Sequence, residues 1–240
     1  MIISRFFYKL FLTGSGLPAQ FIGTAFAVAP DGGLLTCRHV VDIQIPAGQA
    51  IAVFDEETSL LVVVKTVFYP QNRAVDLAYL PSALGRTKPD FLPILTPALL
   101  RIGADIYSFG FFAIGGDTAS IEPGYFAGKV VNYFSPGASD ETASMTLPFP
   151  VLEGMSGSPV LTYHNGPKLV GIAIGNRRSR ILASEVVEYK DERIELRETV
   201  NRIVEFGVAY HCLVIVQFLT SISAHGFVVS DERTTIPNLE

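Results

Sequence analysis

A serine stands between two glycines in the segment Glu153 to Val160, where a polar turn runs directly into an apolar strand. The hydroxyl of Ser156 could act there as a nucleophile. The turn would bring the backbone N–H groups of Gly154 and Ser156 to the same side as that hydroxyl, where they could hold the oxyanion of an acyl-transfer intermediate. Because a hydroxyl is a weak nucleophile, this chemistry also requires a base.

Two upstream segments supply the other residue types that acyl transfer needs. The segment Thr36 to Val41 places His39 at the end of an apolar run, and the segment Ala74 to Leu80 places Asp76 in an otherwise apolar strand. An imidazole can take the proton of a hydroxyl, and a carboxylate can fix the tautomer of the imidazole and stabilise its charged form. An unpaired carboxylate against apolar surface is costly, so Asp76 requires a partner or access to solvent.

With these motifs the chain resembles the chymotrypsin-like (trypsin-like) serine endopeptidases, in particular their compact bacterial members. The resemblance covers roughly residues 20 to 180 and rests on Thr-Cys-Arg-His39-Val, Val-Asp76-Leu-Ala, Gly154-Met-Ser156-Gly-Ser-Pro-Val and the segment Leu169 to Gly175. It implies that His39 is the general base, Asp76 its orienting carboxylate and Ser156 the nucleophile. The amides of Gly154 and Ser156 would form the oxyanion hole.

Two alternatives compete with the endopeptidase hypothesis. An α/β-hydrolase would need Gly-x-Ser-x-Gly followed by a helix, whereas Ser158 occupies the second glycine position and the segment Pro159 to Tyr163 is typical of a strand. A protease-fold binding or regulatory module, inactive or active only with a partner, remains open. The three residue types in one family's order favour the endopeptidase.

Composition predicts the fold class. The chain has 240 residues, is 49% hydrophobic, and punctuates many short apolar runs with 21 glycines and 15 prolines. This pattern predicts an all-β protein of two packed antiparallel β-barrels with a C-terminal helix. We expect an N-terminal barrel over residues 1–97, a C-terminal barrel over 98–195, and a closing helix and loose tail over 196–240, with Pro93 and Pro97 at the crossing. The site would lie in the cleft between the barrels, which suits an extended polypeptide substrate.

The resemblance also implies where the substrate side chain before the cut bond would lie. Trypsin-type enzymes carry an acid at the position of Pro150, so we expect a small or medium apolar side chain there rather than Lys or Arg. Met155 replaces the aspartate that pairs with a new N-terminus in zymogens, so activation of that kind is not expected. The predicted pocket residues are Pro150, Val151, Leu152, Ile174, Gly175 and Asn176.

The C-terminal third has a different character. The segment Glu185 to Arg197 is dense in charge, which predicts an exposed hairpin. From Leu196 to Leu219 the apolar stripe is typical of a helix. The uncharged run that begins at Phe206 is broken by His211 and falls short of the ~20 residues that span a bilayer.

Several ligand classes are not expected. The two cysteines and four histidines show no zinc-site spacing, so we predict neither a metal nor a cofactor. The net charge of −5 and a single basic cluster, residues 177–180, argue against nucleic acid. Arg5 and Lys9 interrupt the first apolar stretch, which favours a strand over a signal peptide. The sparse cysteines predict a cytoplasmic protein. The partners that we predict are a polypeptide substrate and a regulatory protein.

Overall fold

The computed structural model describes residues 3–14, 17–84, 90–95, 100–114, 120–134, 143–163, 165–190 and 193–230. Two sheets dominate these residues, and the predicted all-β class with a short C-terminal helix is confirmed. The strands are β1 (Phe7–Gly14), β2 (Leu17–Ala27), β3 (Leu34–Thr36), β4 (Gln49–Asp55), β5 (Leu60–Val63), β6 (Ala78–Leu80), β7 (Ile94–Leu95), β8 (Asp105–Ile114), β9 (Ser120–Lys129), β10 (Asn132–Phe134), β11 (Ser144–Leu147), β12 (Pro159–Tyr163), β13 (Pro167–Lys190), β14 (Arg193–His211) and β15 (Val229–Ser230).

The first sheet is antiparallel and curled, with the strand order β5-β4-β1-β2-β3-β6. Register shifts between β1 and β2, after Leu10 and after Leu12, bend this pair, since a bulge increases local twist. At the far edge, Thr36 of β3 pairs with Ala78 of β6. That register brings the chain just after β3 next to the chain just before β6, where His39 and Asp76 stand.

The second sheet follows the order β10-β11-β14-β13-β12-β8-β9. Residues 153–158, which we call the serine turn, lie immediately before β12. The short strand β7 lies between Pro93 and Pro97, runs parallel to β13 and β15, and connects the halves of the chain. Pro97 itself lies outside the described residues. One apolar cluster contains Phe26 and Leu34 of the first sheet as well as Leu161 and Ile172 of the second, so the two sheets share a core.

The strands β13 and β14 form a hairpin that runs from the pair Gly171↔His211 to the pair Lys190↔Arg193. A hairpin is therefore present over the predicted segment 185–197, whose residues 191 and 192 lie outside the described residues. The helix predicted to begin at Leu196 is wrong, because α2 spans only Cys212–Ser221. The apolar stripe from residue 200 fits a helix locally. Pairing with β13 over the whole length of β14 makes this segment a strand instead.

The helix α2 closes the second sheet. Its buried side chains are Cys212, Val214, Ile215, Phe218 and Leu219. His211 caps its N-terminus, since the Nδ1 atom accepts a hydrogen bond of 3.2 Å from the Leu213 N–H. Among the described residues no helix is long and apolar enough to cross a membrane. The tail from residue 231, predicted to be loose, lies outside them.

Candidate active site

His39 and Asp76 contact each other directly. His39 lies in the short helix α1 (Arg38–Val41), and its Nδ1 atom is 2.5 Å from Asp76 Oδ2. The backbone N–H of His39 donates to the other carboxylate oxygen at 2.8 Å. Asp76 precedes β6 rather than lying within a strand as predicted, and it is partly exposed. The carboxylate therefore orients the ring through Nδ1, and Nε2 lies on the side of the ring away from Asp76.

The loop that carries Asp76 is held from two sides. The Asp76 N–H donates to the Tyr210 hydroxyl at 3.1 Å, and that hydroxyl donates to the Ala74 carbonyl at 3.1 Å. Burial raises the pKa of Tyr210, which keeps this hydroxyl protonated and able to donate. On the other side the Arg38 guanidinium donates to the Pro70 carbonyl at 3.1 Å and lies 4.8 Å from the Tyr69 ring centroid.

The serine turn depends on two glycines. Gly154 and Gly157 have φ values of +92° and +87°, a region that favours glycine. A Cβ atom on Gly157 would lie 2.1 Å from the Thr24 carbonyl oxygen, so no side chain fits there. Main-chain bonds complete the turn, from Gly157 N–H to the Ala173 carbonyl and from Ser158 N–H to the Met155 carbonyl, both 2.9 Å.

Thr24 of the first sheet ties this turn to the other half of the molecule. Its N–H donates to the Ser156 carbonyl at 3.1 Å, and its hydroxyl donates to the Gly154 carbonyl at 2.9 Å. The same hydroxyl accepts from the Phe111 N–H at 3.1 Å. The roles of Thr24, Arg38 and Tyr210 were not predicted, because their contacts join residues that are distant in sequence and a threonine in a strand is ordinary.

The amides of Gly154 and Ser156 are available as donors. The Glu153 carbonyl accepts from Ala113 N–H at 3.3 Å, and the Met155 carbonyl accepts from Ser158 N–H at 2.9 Å. In a trans peptide the N–H points away from its carbonyl, so the N–H groups of Gly154 and Ser156 point away from these bonds. Within the described part of the chain neither N–H has an acceptor.

A cavity of about 340 Å³ joins the two halves of the site, with His39 and Gly154 both in its lining. Gly23 allows the close approach, since a Cβ there would lie 2.8 Å from Val40 and 3.3 Å from the Ser156 carbonyl oxygen. The hydrogen bonds of the described residues include none from Ser156 Oγ to His39. Geometry thus pairs His39 with Asp76 and brings Glu153 and Gly154 of the serine turn, though not Ser156 itself, to the lining of the same cavity.

The predicted pocket segments are joined by one side chain. The Asn176 amide accepts from the Val151 N–H at 2.7 Å and donates to the Val151 carbonyl at 2.8 Å. This pair of bonds links the segments 150–152 and 174–176. Val151 is buried, whereas Pro150, Leu152, Ile174 and Gly175 are half-buried and Asn176 is exposed.

Cys37, His39 and Asp76 have ligand atoms within 4.8 Å of one another, which raises the question of a metal site. Burial, and next the charge of Asp76, raise the pKa of the Cys37 thiol well above its usual value. A metal requires the thiolate, whereas the Cys37 Sγ donates to the Ala173 carbonyl oxygen at 3.3 Å. The thiol of Cys37 is thus bound to a main-chain carbonyl, and Nδ1 of His39 is bound to Asp76.

Comparisons with known proteins identify the family of this chain. The sequence model of the trypsin-like peptidase domain matches residues 23–172. Similar solved structures include the HtrA-type protease AlgW with a tripeptide and with a decapeptide, at 16% and 15% identity and a TM-score of 0.58 each. They cover 94% and 93% of this chain, which spans 64% and 67% of theirs. No curated protein matched the chain. The chain belongs to the trypsin-like peptidase domain family.

Proposed function

Because the chain belongs to this peptidase family, we propose that it is a serine endopeptidase acting through a Ser156 acyl-enzyme. His39 Nε2 takes the proton of Ser156 Oγ as the oxygen attacks the scissile carbonyl carbon. The N–H groups of Gly154 and Ser156 donate to the developing oxyanion. His39 then gives the proton to the leaving amine as the C–N bond breaks, and a water molecule releases the acyl group by the same proton route.

The observation that carries this proposal is the two-point contact between His39 and Asp76. One carboxylate oxygen lies 2.5 Å from Nδ1 and the other accepts the backbone N–H of the same residue. A carboxylate held in this way favours the tautomer with a proton on Nδ1 and stabilises the imidazolium that forms when Ser156 loses its proton. A histidine with only a packing role needs no such arrangement.

The proposed substrate is an extended polypeptide. The similar HtrA-type structures contain a tripeptide or a decapeptide, which supports this substrate class. Because Pro150 stands where trypsin-type enzymes carry an acid, we propose a small or medium apolar residue before the cut bond. The cytoplasmic location and a regulatory protein partner stay predictions from the sequence.

A matched pair of serine substitutions tests the proposal. Ser156→Ala should abolish hydrolysis of a fluorogenic peptide library, with a loss of about 10⁶-fold in kcat. Ser158→Ala is the control, because Ser158 stands in the same turn, is buried, and its Oγ has no hydrogen-bond partner among the described residues. Activity that persists in Ser156→Ala, or disappears equally in both variants, would contradict the proposal.

One observation favours a second candidate, a peptidase active only when a partner orders the site. No hydrogen bond joins Ser156 Oγ to His39 among the described residues, although such bonds often tighten only when substrate binds. Labelling of the isolated protein by a fluorophosphonate distinguishes the two. Rapid labelling favours the autonomous enzyme, and labelling that requires a cell extract favours the regulated one.

A further inference from the structure

The hairpin of β13 and β14 extends far beyond the sheet that carries it. β12 pairs with β13 only up to Ile172, and β11 pairs with β14 only from Gly207 onward. Over residues 177–190 and 193–206, the arm hereafter, the two strands pair with each other and with no other described strand. Fourteen residues per strand correspond to a length of roughly 48 Å.

Such an arm is poorly suited to stand alone in water. A two-stranded ladder with both edges open is marginally stable, and its unpaired N–H and C=O groups invite pairing with another chain. The arm also contains eleven large apolar residues. Among them, Ile203 is opposite Arg180 and is 56% exposed, although the pairing with β13 is complete there. A solvated hairpin has no need of this composition.

The charge of the whole hairpin sequence, residues 177–206, is divided along its length. Its base, residues 177–182 with 201–206, contains four arginines and one glutamate, a net charge of +3. The remainder of the hairpin sequence, residues 183–200, is called the outer half. It contains six acidic and three basic residues, a net charge of −3. Two identical arms laid antiparallel would place the basic base of each against the acidic outer half of the other. A parallel arrangement would oppose like charges.

We propose that the arm binds the arm of a second copy of this chain, antiparallel and around a two-fold axis. An isologous contact of this kind is self-complementary, as the charge division requires. One face of the arm measures roughly 48 Å by about 10 Å, or about 480 Å². Together with one strand edge of about 5 Å along the same length, the surface available is on the order of 700 Å². That area is close to the ~800 Å² per partner of a stable interface.

Charge-swap variants test the pairing. Arg177→Glu, Arg180→Glu and Arg202→Glu together turn the base from +3 to −3, and Glu185→Lys, Glu188→Lys and Glu198→Lys together turn the outer half from −3 to +3. These choices leave the Arg178–Glu205 ion pair of 2.6 Å in place. Each triple variant should be monomeric by sedimentation equilibrium at about 20 μM and low salt, a loss of at least tenfold in dimer affinity.

Mixing distinguishes a specific pairing from damage to the fold. An equimolar mixture of the two triple variants should form the dimer again, and a chain carrying all six substitutions should dimerise by itself. A wild-type chain that is monomeric, or a mixture that stays monomeric while both variants keep their peptidase activity, would overturn the proposal.

A shortened arm provides the second measurement. Replacing residues 180–203 by Asn-Gly joins the paired residues Ser179 and Val204 with a favoured two-residue turn. The shortened chain should be monomeric and should keep the peptidase activity of the full chain. A dimer that persists without the arm would show that copies associate through another surface and would overturn the assignment.

Discussion

The two halves of the candidate site are held in different ways. On the His39 side, a side-chain carboxylate fixes a side-chain imidazole directly. On the Ser156 side, backbone conformation and main-chain hydrogen bonds fix the turn, with Thr24 of the first sheet as the link. A change to the Asp76 carboxylate can therefore remove chemistry and keep the fold, whereas a change to the turn glycines or to Thr24 also disturbs packing.

Apart from loss of the nucleophile itself, the largest expected effect comes from the His39 side of the site. Asp76→Asn keeps the shape of the side chain but disfavours the tautomer with a proton on Nδ1, so kcat/KM should fall roughly 10³- to 10⁴-fold. The thermal midpoint should change little. Asp105→Asn is the control, since it removes an exposed ion pair with Lys129 distant from the site. An Asp76→Asn protein with near-normal kcat/KM would remove the proposed role of this carboxylate.

Substitution of a turn glycine on the Ser156 side should lower the stability of the fold. Gly157→Ala forces a Cβ to within 2.1 Å of the Thr24 carbonyl oxygen at a φ of +87°, so the free energy of unfolding should fall by about 4 kcal/mol. Gly103→Ala is the matched control, because Gly103 has a φ of +82° with no atom within 4 Å of the added Cβ. It should cost only about 1 kcal/mol. Equal losses in urea unfolding would contradict this account of the turn.

The link between the halves should give an intermediate effect. Thr24→Val removes the hydroxyl and leaves the Gly154 carbonyl and the buried Phe111 N–H without their partner. The cost should be about 2 kcal/mol of stability, together with a lower kcat because the Gly154 peptide is no longer fixed. Thr24→Ser keeps both bonds and should keep kcat. If Thr24→Val lowers stability without changing kcat, the link has no part in positioning the turn.

The smallest expected effect lies outside both halves, at the cap of α2. Burial lowers the pKa of His211 below 6.5, so the unfolded chain takes up this proton first as the pH falls. The stabilisation due to neutral His211 is complete above pH 6.5 and is lost as the pH falls toward the folded-state pKa.

His211→Asn keeps a capping acceptor without the titration, so Tm should fall less between pH 7.5 and pH 5 than in the wild type. The exposed His225 provides the control, His225→Asn. An unchanged pH dependence of Tm in His211→Asn would contradict the assignment to His211.

The sequence predicted those features that depend on residues close to one another in the chain. The turn at Gly154 to Ser158 and the separate segments around His39 and Asp76 each carry their own signature. The short apolar runs predicted the strands that hold them, because alternation and turn residues act within a few positions.

Long-range contacts explain what the sequence did not predict. Tyr210 reaches the Asp76 loop from 134 residues away, and Thr24 reaches Gly154 from 130 residues away. The helix expected from Leu196 is a strand up to His211, because the stripe at Val200, Ile203 and Val204 satisfies a helical period while β13 supplies a complete partner. Pairing of that length outweighs a local preference.

The central claim is that Ser156 is the nucleophile, and covalent labelling tests it most directly. A fluorophosphonate should add once to the wild-type chain, and peptide mapping by mass spectrometry should place the adduct on Ser156. Asp76→Asn should slow the labelling roughly in proportion to its loss of kcat/KM, and Ser158→Ala should not change it. A wild-type chain that takes up no label in any context, or takes it up at another residue, would contradict the account.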